Sequence, residues 1–277
     1  SDNVGLGLLQ IFIFTITQEA LCRTWTRLEN YMTTVERILQ YTKQNQENIN
    51  GVVVTNWPSE SEISYQHVYF GYDTTNVLND LNFVVRSKTK LAIVGKTASG
   101  KTSLVSLLLR PYGFKGNIFI DNVDIATLSL DLLRSNVFII SQESTLFSGS
   151  LRDNIDPTKK FSDDEIWQAL KMVHLAELFQ SLEDKIGQDT KLSGGQEQLV
   201  CLCRAIVRKS KVVILDEVTA NVDSDTETVV HSVILSSFGD STVIVITHKF
   251  RYILGFDNVL VLDNGTVAQV GDPRRLL

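Results

Sequence analysis

The spacing of hydrophobic positions divides the chain into an apolar N-terminal part and a longer part in which strand and helix patterns alternate. Residues 5–16 form an apolar stretch with one strongly polar residue, Gln10. Twelve helical residues span about 18 Å, less than the ~30 Å hydrocarbon core of a bilayer, so this stretch alone cannot cross a membrane. An apolar seam at alternating steps of four and three follows it and predicts one long amphipathic helix. The seam consists of Leu21, Trp25, Leu28, Met32, Val35 and Leu39.

Two interpretations fit this helix. It could pack on its own domain, or it could be the cytoplasmic end of a transmembrane helix. Arg23, Arg27 and Arg37 follow the apolar stretch, and such basic flanks are typical of the cytoplasmic side, which favours the second interpretation. Residues 43–58 are polar, end in Asn56-Trp57-Pro58, and predict a linker.

Beyond residue 58 the pattern predicts an α/β domain. Short β-rich runs at 62–70 and 82–86 come first, and helical patterns follow at 163–172 and 175–182. Four continuously apolar runs are typical of parallel strands covered on both faces. These runs are 90–94, 137–140, 212–215 and 242–246. A last hairpin is predicted at 259–270 around an Asn-Gly turn, Asn264-Gly265.

Composition excludes several classes of protein. The 277 residues are 43% hydrophobic and carry 26 basic against 32 acidic side chains, a net charge of -6. A disordered chain is therefore excluded, and no basic block supports nucleic-acid binding. Three cysteines, Cys22, Cys201 and Cys203, cannot pair completely, which favours a reducing compartment and disfavours a zinc site.

The strongest chemical pattern is residues 95–102, which match G-x-x-x-x-G-K-[ST] directly after the apolar run 90–94. In this motif the glycines let backbone N–H groups surround phosphates, the lysine reaches the β- and γ-phosphates, and the last hydroxyl ligates Mg²⁺. The motif therefore predicts an ATP or related nucleotide site with Lys101 and Thr102 in these roles. The predicted nucleotide-binding residues are Gly95, Lys96, Thr97, Ala98, Ser99, Gly100, Lys101, Thr102 and Ser103.

Two acidic residues support the same site. Asp216 and Glu217 end the apolar run at 212–215, and ligands of open α/β sheets bind at the carboxyl ends of the strands. We predict that Asp216 ligates Mg²⁺ and that Glu217 polarises the water that attacks the γ-phosphate.

A third motif, Leu192-Ser193-Gly194-Gly195-Gln196, opens a helical pattern. Ser193 and Gln196 fit a capping box. Capping does not explain two adjacent glycines, each of which costs a helix roughly 1 kcal/mol relative to alanine. The glycines therefore suggest close approach by a ligand.

Leu-Ser-Gly-Gly-Gln between a P-loop and its Asp-Glu strand resembles the signature of the ATP-binding cassette (ABC) ATPases. The resemblance implies an α/β P-loop NTPase core with an antiparallel β subdomain and an α-helical signature subdomain. By position it implies Gln142 in the Q-loop as a further Mg²⁺ ligand, Asp223 in the D-loop, and Tyr72 stacked on adenine. It also implies His248 as the switch histidine, catalytic together with Glu217 and Lys101.

Finer similarity is to the second nucleotide-binding domain of the multidrug-resistance-associated, or C, subfamily. It rests on three segments, 31–38, 146–157 and 214–223. The resemblance implies the end of a last transmembrane helix and a helical extension at 1–42, a linker at 43–58, and a cassette at 59–277. It further implies a multi-pass membrane protein with this cassette on the cytoplasmic side. The implied partners are transmembrane domains and a second cassette of the same polypeptide, paired head to tail so that 193–196 of one face the ATP of the other; nucleic acid is not among them.

The implied function is ATP binding and hydrolysis that powers export of organic solutes or anions. An ATP-binding regulatory module that gates a channel or receptor is the alternative, and a soluble cassette ATPase is a third, poorer fit. Glu217 favours the ATPase. Four residues depart from the family pattern: Ala98 stands where glycine is usual, Glu197 where arginine is usual, and Thr247 and Lys249 where alanine and arginine are common. The stretch 185–191 is also short. An alanine at 98 is tolerable only if its φ is not positive.

Overall fold

The chain forms two compact units, Ser1–Asn48 and Ile49–Leu277. The structure, a computed structural model, describes residues 2–43, 47, 49–72, 75–142, 145–187, 191–220 and 222–276. The second unit starts inside the predicted linker, 43–58, rather than at the predicted residue 59. Val52 and Trp57 explain the difference. Val52 N–H donates to the Thr127 carbonyl, and the buried indole of Trp57 donates to the Ile120 carbonyl at 3.0 Å.

The first unit contains one long helix, α1 (Asp2–Thr42), of 41 residues. At 1.5 Å per residue it is about 60 Å long. The apolar stretch 5–16 is thus part of a continuous helix, and the length limit of twelve residues does not apply. Among the described residues, α1 is the one helix that is long and apolar enough to cross a membrane. Its predicted seam is exposed, from 44% at Val35 to 70% at Leu21.

The elements of the second unit follow in chain order. The strands are β1 (Ile63–Tyr72), β2 (Thr75–Val85), β3 (Lys90–Val94), β4 (Lys115–Ile120), β5 (Val123–Asp124), β6 (Val137–Ile140), β7 (Val212–Asp216), β8 (Thr242–Ile246), β9 (Asn258–Asp263) and β10 (Thr266–Gly271). The α-helices are α2 (Lys101–Ser106), α3 (Leu130–Asn136), α4 (Leu151–Ile155), α5 (Asp163–Met172), α6 (Gly194–Arg208), α7 (Ser224–Ser237) and α8 (Pro273–Leu276).

A six-stranded sheet in the order β10-β9-β3-β8-β7-β6 forms the centre of this unit. Its strands β9, β3, β8, β7 and β6 run parallel. The four apolar runs predict this for β3, β6, β7 and β8, whereas the sequence predicts β9 only as part of the hairpin. Every residue of β7 and β8 is buried, because helices and a second sheet cover both faces. Since parallel strands end at one edge, the loops after β3, β8, β7 and β6 meet there.

The predicted antiparallel β subdomain is the four-stranded sheet β2-β1-β4-β5. The sequence runs 62–70 and 82–86 correspond to β1 and to the end of β2. Strand β4 lies beside β1 and was not among the predicted strands. The parallel central sheet with its helices and this antiparallel sheet agree with the predicted α/β fold class.

The helical region holds α4, α5 and the longer α6. Helix α5 occupies the predicted range 163–172. The second predicted helix, 175–182, is wrong: only Ala176–Leu178 forms a short 3-10 helix, and Phe179 is extended. The Asp184 carboxylate accepts the N–H groups of Gln180 and Ser181, so a side chain bonds the backbone that a helix would otherwise bond.

The chain closes with the hairpin β9–β10, as the Asn-Gly pair predicts. Asn264 and Gly265 have φ values of 48° and 75°, the two left-handed positions of a tight hairpin turn. The Gly265 N–H donates to the Ser99 carbonyl at 3.1 Å, and its carbonyl accepts the Asn79 N–H at 2.8 Å. A Cβ at Gly265 would lie 2.0 Å from the Val77 carbonyl oxygen. The turn therefore fits between β2 and the loop after β3.

Candidate nucleotide-binding site

The loop 95–100 connects β3 to α2 and folds around the Lys101 side chain. The Lys101 ammonium donates to the carbonyls of Gly95 at 3.0 Å and Lys96 at 2.9 Å, and the residue is 5% exposed. Lys96 and Thr97 are exposed. This arrangement holds one positive charge at the end of the central sheet.

Two glycines of this loop have no room for a side chain. A Cβ at Gly95 would lie 2.2 Å from the Leu262 carbonyl oxygen, and one at Gly100 would lie 2.7 Å from a methyl group of Leu78. Gly100 also has φ 98°, a conformation that glycine adopts without strain. The motif glycines are thus required by packing within the chain as well as by any phosphate.

Ala98 has φ 65°. An alanine at this position requires a φ that is not positive, and the structure does not meet this requirement. A non-glycine residue in this region costs about 1 to 3 kcal/mol. Ala98 is exposed, so the cost lies in the backbone and not in a clash with neighbouring groups.

Strand β7 delivers two acidic residues to the same edge. Asp216 is 9% exposed, and burial raises its pKa above the usual range, with the Glu217 carboxylate adding to the rise. A hydrogen bond with the Thr102 side chain and the charge of Lys101 act in the opposite direction. A buried carboxylate of this kind gains from any cation that binds beside it.

Glu217 and His248 form a close pair. His248 Nε2 lies 2.7 Å from Glu217 Oε1. Glu217 has φ 49°, and its N–H donates to the Ile246 carbonyl at the end of β8 at 3.1 Å. The strained backbone directs the carboxylate towards the loop after β8, where His248 lies.

One cavity of about 460 Å³ unites most of these residues. We refer to it as the P-loop cavity. Its lining comprises Val77, Thr97, Ala98, Gly100, Lys101, Thr102, Ser103, Gln142, Glu217 and His248. The structure thus brings the loop after β3 together with Gln142, Glu217 and His248, which lie on three later segments of the sequence.

Tyr72 lies beside this cavity but does not line it. Its hydroxyl is 3.4 Å from the Ser103 hydroxyl, and its ring meets Phe70 and Tyr112 edge-on at centroid distances of 4.8 and 5.4 Å. The ring is half-exposed, so one part of it is open to a planar ligand.

The motif residues 193–196, here called the signature loop, form the predicted capping box. Ser193 Oγ accepts the Gln196 N–H at 3.3 Å, and Gln196 Oε1 accepts the Ser193 N–H at 2.9 Å. A Cβ at Gly195 would lie 2.9 Å from the Thr226 methyl, whereas one at Gly194 would meet open space. The close approach at Gly195 is therefore made by α7 of the same chain.

Asp223 joins the signature loop through the same threonine. Its carboxylate caps α7 by accepting the Thr226 N–H at 2.9 Å and the Thr226 hydroxyl at 2.8 Å. Neither Asp223 nor the signature loop lines the P-loop cavity. The structure thus groups the predicted residues into two sites on one chain.

Three residues of this region were not among the predicted site residues. Gln198, one turn into α6, donates to the Gln142 carbonyl at 2.7 Å and so ties the signature helix to the loop after β6. Gly265 holds the Ser99 carbonyl. The sequence marks Lys249 only as a departure from the family pattern. The sequence marks Gly265 as a turn residue, but nothing in the pattern indicates which loop the turn contacts.

Residues 78–220 match the family described as ABC transporter. The chain belongs to the ABC transporter family. The chain is 39% identical over 290 residues to human ATP-binding cassette sub-family C member 2, covering 100% of this chain and 19% of that protein. It is 38% identical over 283 residues to the ABC transporter ecdL of Aspergillus rugulosus, covering 99% and 19%. A probable multidrug resistance-associated protein of Drosophila melanogaster, lethal(2)03659, is 37% identical over 287 residues, covering 99% and 20%.

These relatives make the chain a C-subfamily cassette and confirm the resemblance that the motifs indicate. The chain spans about a fifth of the length of these relatives. Among solved structures, the chain resembles a bacterial Atm1-family ABC exporter with ATP bound, at a TM-score of 0.78 and 29% identity. That match covers 90% of this chain and 46% of the exporter, and it confirms the P-loop NTPase fold.

Proposed function

We propose that this chain is the ATP-hydrolysing cassette of a membrane exporter of organic solutes or anions. The observation that carries the proposal is the P-loop cavity, because it joins the Lys101 ammonium, the Thr102 hydroxyl and the Glu217–His248 pair, which are groups suited to a phosphate, to Mg²⁺ and to a base. A cavity that only bound nucleotide would need the lysine but not the Glu217–His248 pair.

In this proposal the triphosphate binds in the loop 95–100. The backbone N–H groups and the Lys101 ammonium neutralise the β- and γ-phosphates, and Ser103 adds a hydroxyl at the start of α2. Adenine stacks on the open part of the Tyr72 ring. The position of Tyr72 beside Ser103, next to the loop, supports this assignment.

Mg²⁺ is the implied cofactor, and the residues fit it. Thr102, Gln142 and Asp216 offer a hydroxyl, an amide and a carboxylate, the oxygen ligands that Mg²⁺ prefers. The described residues contain no group of three or more His, Cys, Asp or Glu side chains suited to a metal, so phosphate oxygens would complete the ligand set. When bound, the ion would neutralise negative charge on the phosphates.

Hydrolysis follows from the Glu217–His248 pair. Glu217 accepts a proton from a water molecule while the oxygen of that water forms a bond to the γ-phosphorus. The bond from the γ-phosphorus to the bridging oxygen breaks, and ADP and phosphate are released. His248 holds the Glu217 carboxylate at 2.7 Å and fixes the direction in which it accepts the proton.

The signature loop is proposed to act on the ATP of a second cassette. It lies outside the P-loop cavity of its own chain, and Gly194 faces open space. A helix start with exposed N–H groups favours an anion. Two cassettes paired head to tail, with the second in the same full-length polypeptide, would therefore place each ATP between Lys101 of one and Ser193 of the other, with Asp223 near the contact.

The membrane part of the proposal rests on α1. Its length and exposed apolar side chains suit a transmembrane helix that continues into the cytoplasm, in a multi-pass protein with the cassette on the cytoplasmic side. Transmembrane domains are then the partners that ATP hydrolysis moves.

The test compares Glu217→Gln with the parent chain of 277 residues. We expect the variant to bind ATP as the parent does, because the amide keeps the shape, and to lose turnover by about a hundredfold or more, because the amide is not a base. Nucleotide affinity is measured by titration calorimetry and turnover by Mg²⁺-dependent phosphate release.

Glu177→Gln makes the same chemical change at an exposed position and should keep the parent rate. If Glu217→Gln hydrolyses ATP as fast as Glu177→Gln, Glu217 is not the base. Binding without turnover in the parent chain would support the regulatory alternative, and absence of binding would reject the proposal.

A further inference from the structure

Lys249, directly after His248, makes two contacts that connect three parts of the cassette. Its ammonium lies 2.9 Å from Glu227 Oε1 and donates to the Thr219 carbonyl at 3.1 Å. Glu227 lies on α7, and its side chain is 7% exposed. A buried carboxylate requires a paired cation, and Lys249 supplies it.

The two partners of Lys249 lie on elements that bear site residues. Thr219 belongs to the turn that Glu217 begins, in which the Ala220 N–H donates to the Glu217 carbonyl at 2.9 Å. Glu227 lies one turn beyond Asp223, the cap of α7. Lys249 therefore joins the loop after β8 to the Glu217 turn and to the helix that packs on the signature loop.

The backbone on the other side of His248 is fixed as well. The Thr247 N–H donates to the Ile93 carbonyl at 3.2 Å, and the Thr247 hydroxyl accepts the Lys249 N–H at 3.0 Å. Thr247 and Lys249 are the two departures from the family pattern that flank the histidine. In this chain they contact each other across it.

Two other basic side chains of this region, His231 and Arg251, are engaged with Tyr252, and Lys249 is the cation that contacts the Glu227 carboxylate. His231, one turn further along α7, stacks on Tyr252 at a centroid distance of 3.6 Å, and burial lowers its pKa to about 4. It is therefore neutral near pH 7. The Arg251 guanidinium lies over the other ring of this stack, that of Tyr252, with its central carbon 4.5 Å from the ring centroid.

We propose that Lys249 is a positioning residue that holds His248 against Glu217 and transmits the position of α7 to this pair. This inference rests on the proposed function, since it concerns how the pair is held for hydrolysis. The Glu227 carboxylate is buried, whereas the Lys249 side chain is 38% exposed. Pairing a buried charge mainly offsets the cost of burying it and adds little net stability, so the role of the Lys249–Glu227 pair is expected in geometry rather than in folding.

The test separates geometry from stability with four variants: Lys249→Met, Glu227→Gln, the double variant, and Lys249→Arg. We expect Lys249→Met to lower kcat for ATP roughly tenfold or more, because small displacements of reacting groups are costly, while ATP affinity changes less than about twofold. Lys249→Arg keeps a cation at this position and should retain most of the parent kcat.

The double variant decides between the two roles. Lys249→Met leaves the buried Glu227 carboxylate unpaired and should unfold at a lower urea concentration than the parent, whereas Glu227→Gln leaves a lysine that water reaches and should be destabilised less. The double variant removes both charges, so its urea midpoint should return towards that of the parent while kcat stays low. Recovery of both midpoint and kcat would mean that the pair is only structural and would overturn the proposal. Lys209→Met, which removes an exposed pair with Glu165, is the control and should change neither quantity.

A second measurement does not need turnover. The chain has four histidines, and the ring nitrogen NMR signals of His248 are assigned as those missing in His248→Gln. In the parent, Glu217→Gln should shift these signals, because the two side chains are in contact. In the Lys249→Met background the shift should be much smaller. An equal shift would overturn the positioning role, and this measurement does not depend on turnover. Failure of the parent chain to hydrolyse ATP would instead reject the proposed function, so the two failures are distinguishable.

Discussion

Ala98 carries a Cβ in a left-handed backbone conformation within the loop that surrounds Lys101. Its φ of 65° is one that glycine adopts freely and alanine does not. The strain of about 1 to 3 kcal/mol exceeds the 0.4 to 1 kcal/mol or so that alanine gains by restricting the unfolded chain. The folded loop therefore carries a net cost that glycine would remove.

We expect Ala98→Gly to raise the free energy of unfolding by about 1 kcal/mol. The measurement is urea denaturation followed by circular dichroism. Ala126→Gly is the control, because Ala126 is exposed and is not among the positive-φ residues. There the same change should destabilise the fold by up to about 1 kcal/mol. Equal destabilisation at both positions would show that the backbone at residue 98 is not strained.

At this scale the sequence predicts what local chemistry dictates. Ser193 and Gln196 cap one helix because a spacing of three residues suits that exchange of hydrogen bonds. Asp216 ends a buried strand because an apolar run must stop at a polar edge. The φ of Ala98 and the contacts of Lys249 follow instead from elements distant in sequence. No pattern around residue 249 reveals that α7 brings a buried carboxylate to it.

At the scale of elements, the hairpin β9–β10 determines the shape of the loop after β3. The Gly265 N–H holds the Ser99 carbonyl, while the carbonyl of Gly265 holds β2. The loop 95–100 is thus held by a turn that lies beside it in space but far from it in sequence. A change in the turn should reach the phosphate site without touching any residue of the P-loop motif.

Gly265→Ala tests this connection. The added Cβ would lie 2.0 Å from the Val77 carbonyl oxygen, so the turn must move and the bond to Ser99 must lengthen. We expect ATP affinity to fall about tenfold, or about 1.4 kcal/mol, and the urea midpoint to decrease. Both are measured on the full chain, by calorimetry and denaturation.

Gly239→Ala is the matched control, since a Cβ at that exposed position meets no atom within 4 Å. It should leave affinity and midpoint unchanged. Should Gly265→Ala bind ATP as tightly as Gly239→Ala does, the hairpin does not shape the loop.

Elements with a regular apolar pattern could be predicted, and elements that depend on neighbours could not. The four buried parallel strands read as continuous apolar runs. Strand β4 begins Lys-Gly-Asn, which is not a strand pattern, and it forms because β1 offers it a partner. The stretch 175–182 has helical spacing, but its buried Phe179 is reached by extended backbone, and Asp184 bonds the N–H groups that follow.

At the scale of the whole molecule, the P-loop cavity and the signature loop are separate regions of one chain, and the proposed function makes them halves of two shared ATP sites. The P-loop cavity holds Lys101, and the signature loop lies outside it. If catalysis needs both, two inactive variants should complement each other when the chains form mixed dimers.

We expect Lys101→Ala and Ser193→Arg each to abolish turnover, and turnover to reappear on mixing. A mixed dimer pairs the intact Lys101 of one chain with the intact Ser193 of the other and rebuilds one site of two. Phosphate release is measured after mixing, and light scattering establishes that mixed dimers form. Mixed dimers that stay as inactive as either variant alone would reject a shared site. Both variants must first show the circular dichroism spectrum of the parent chain.

The hairpin contact also sets a schedule for how this protein is made. Strand β3 has β8 and β9 as its neighbours, and the loop after it depends on Gly265, which follows Ser99 by 166 positions. At about 5 to 20 residues per second, a ribosome needs roughly 10 to 30 s to travel that distance. During that interval the loop 95–100 exists without the strands and the turn that shape it. The nucleotide site is therefore among the last parts of the domain to mature, and tight ATP binding would report that synthesis has passed the final hairpin.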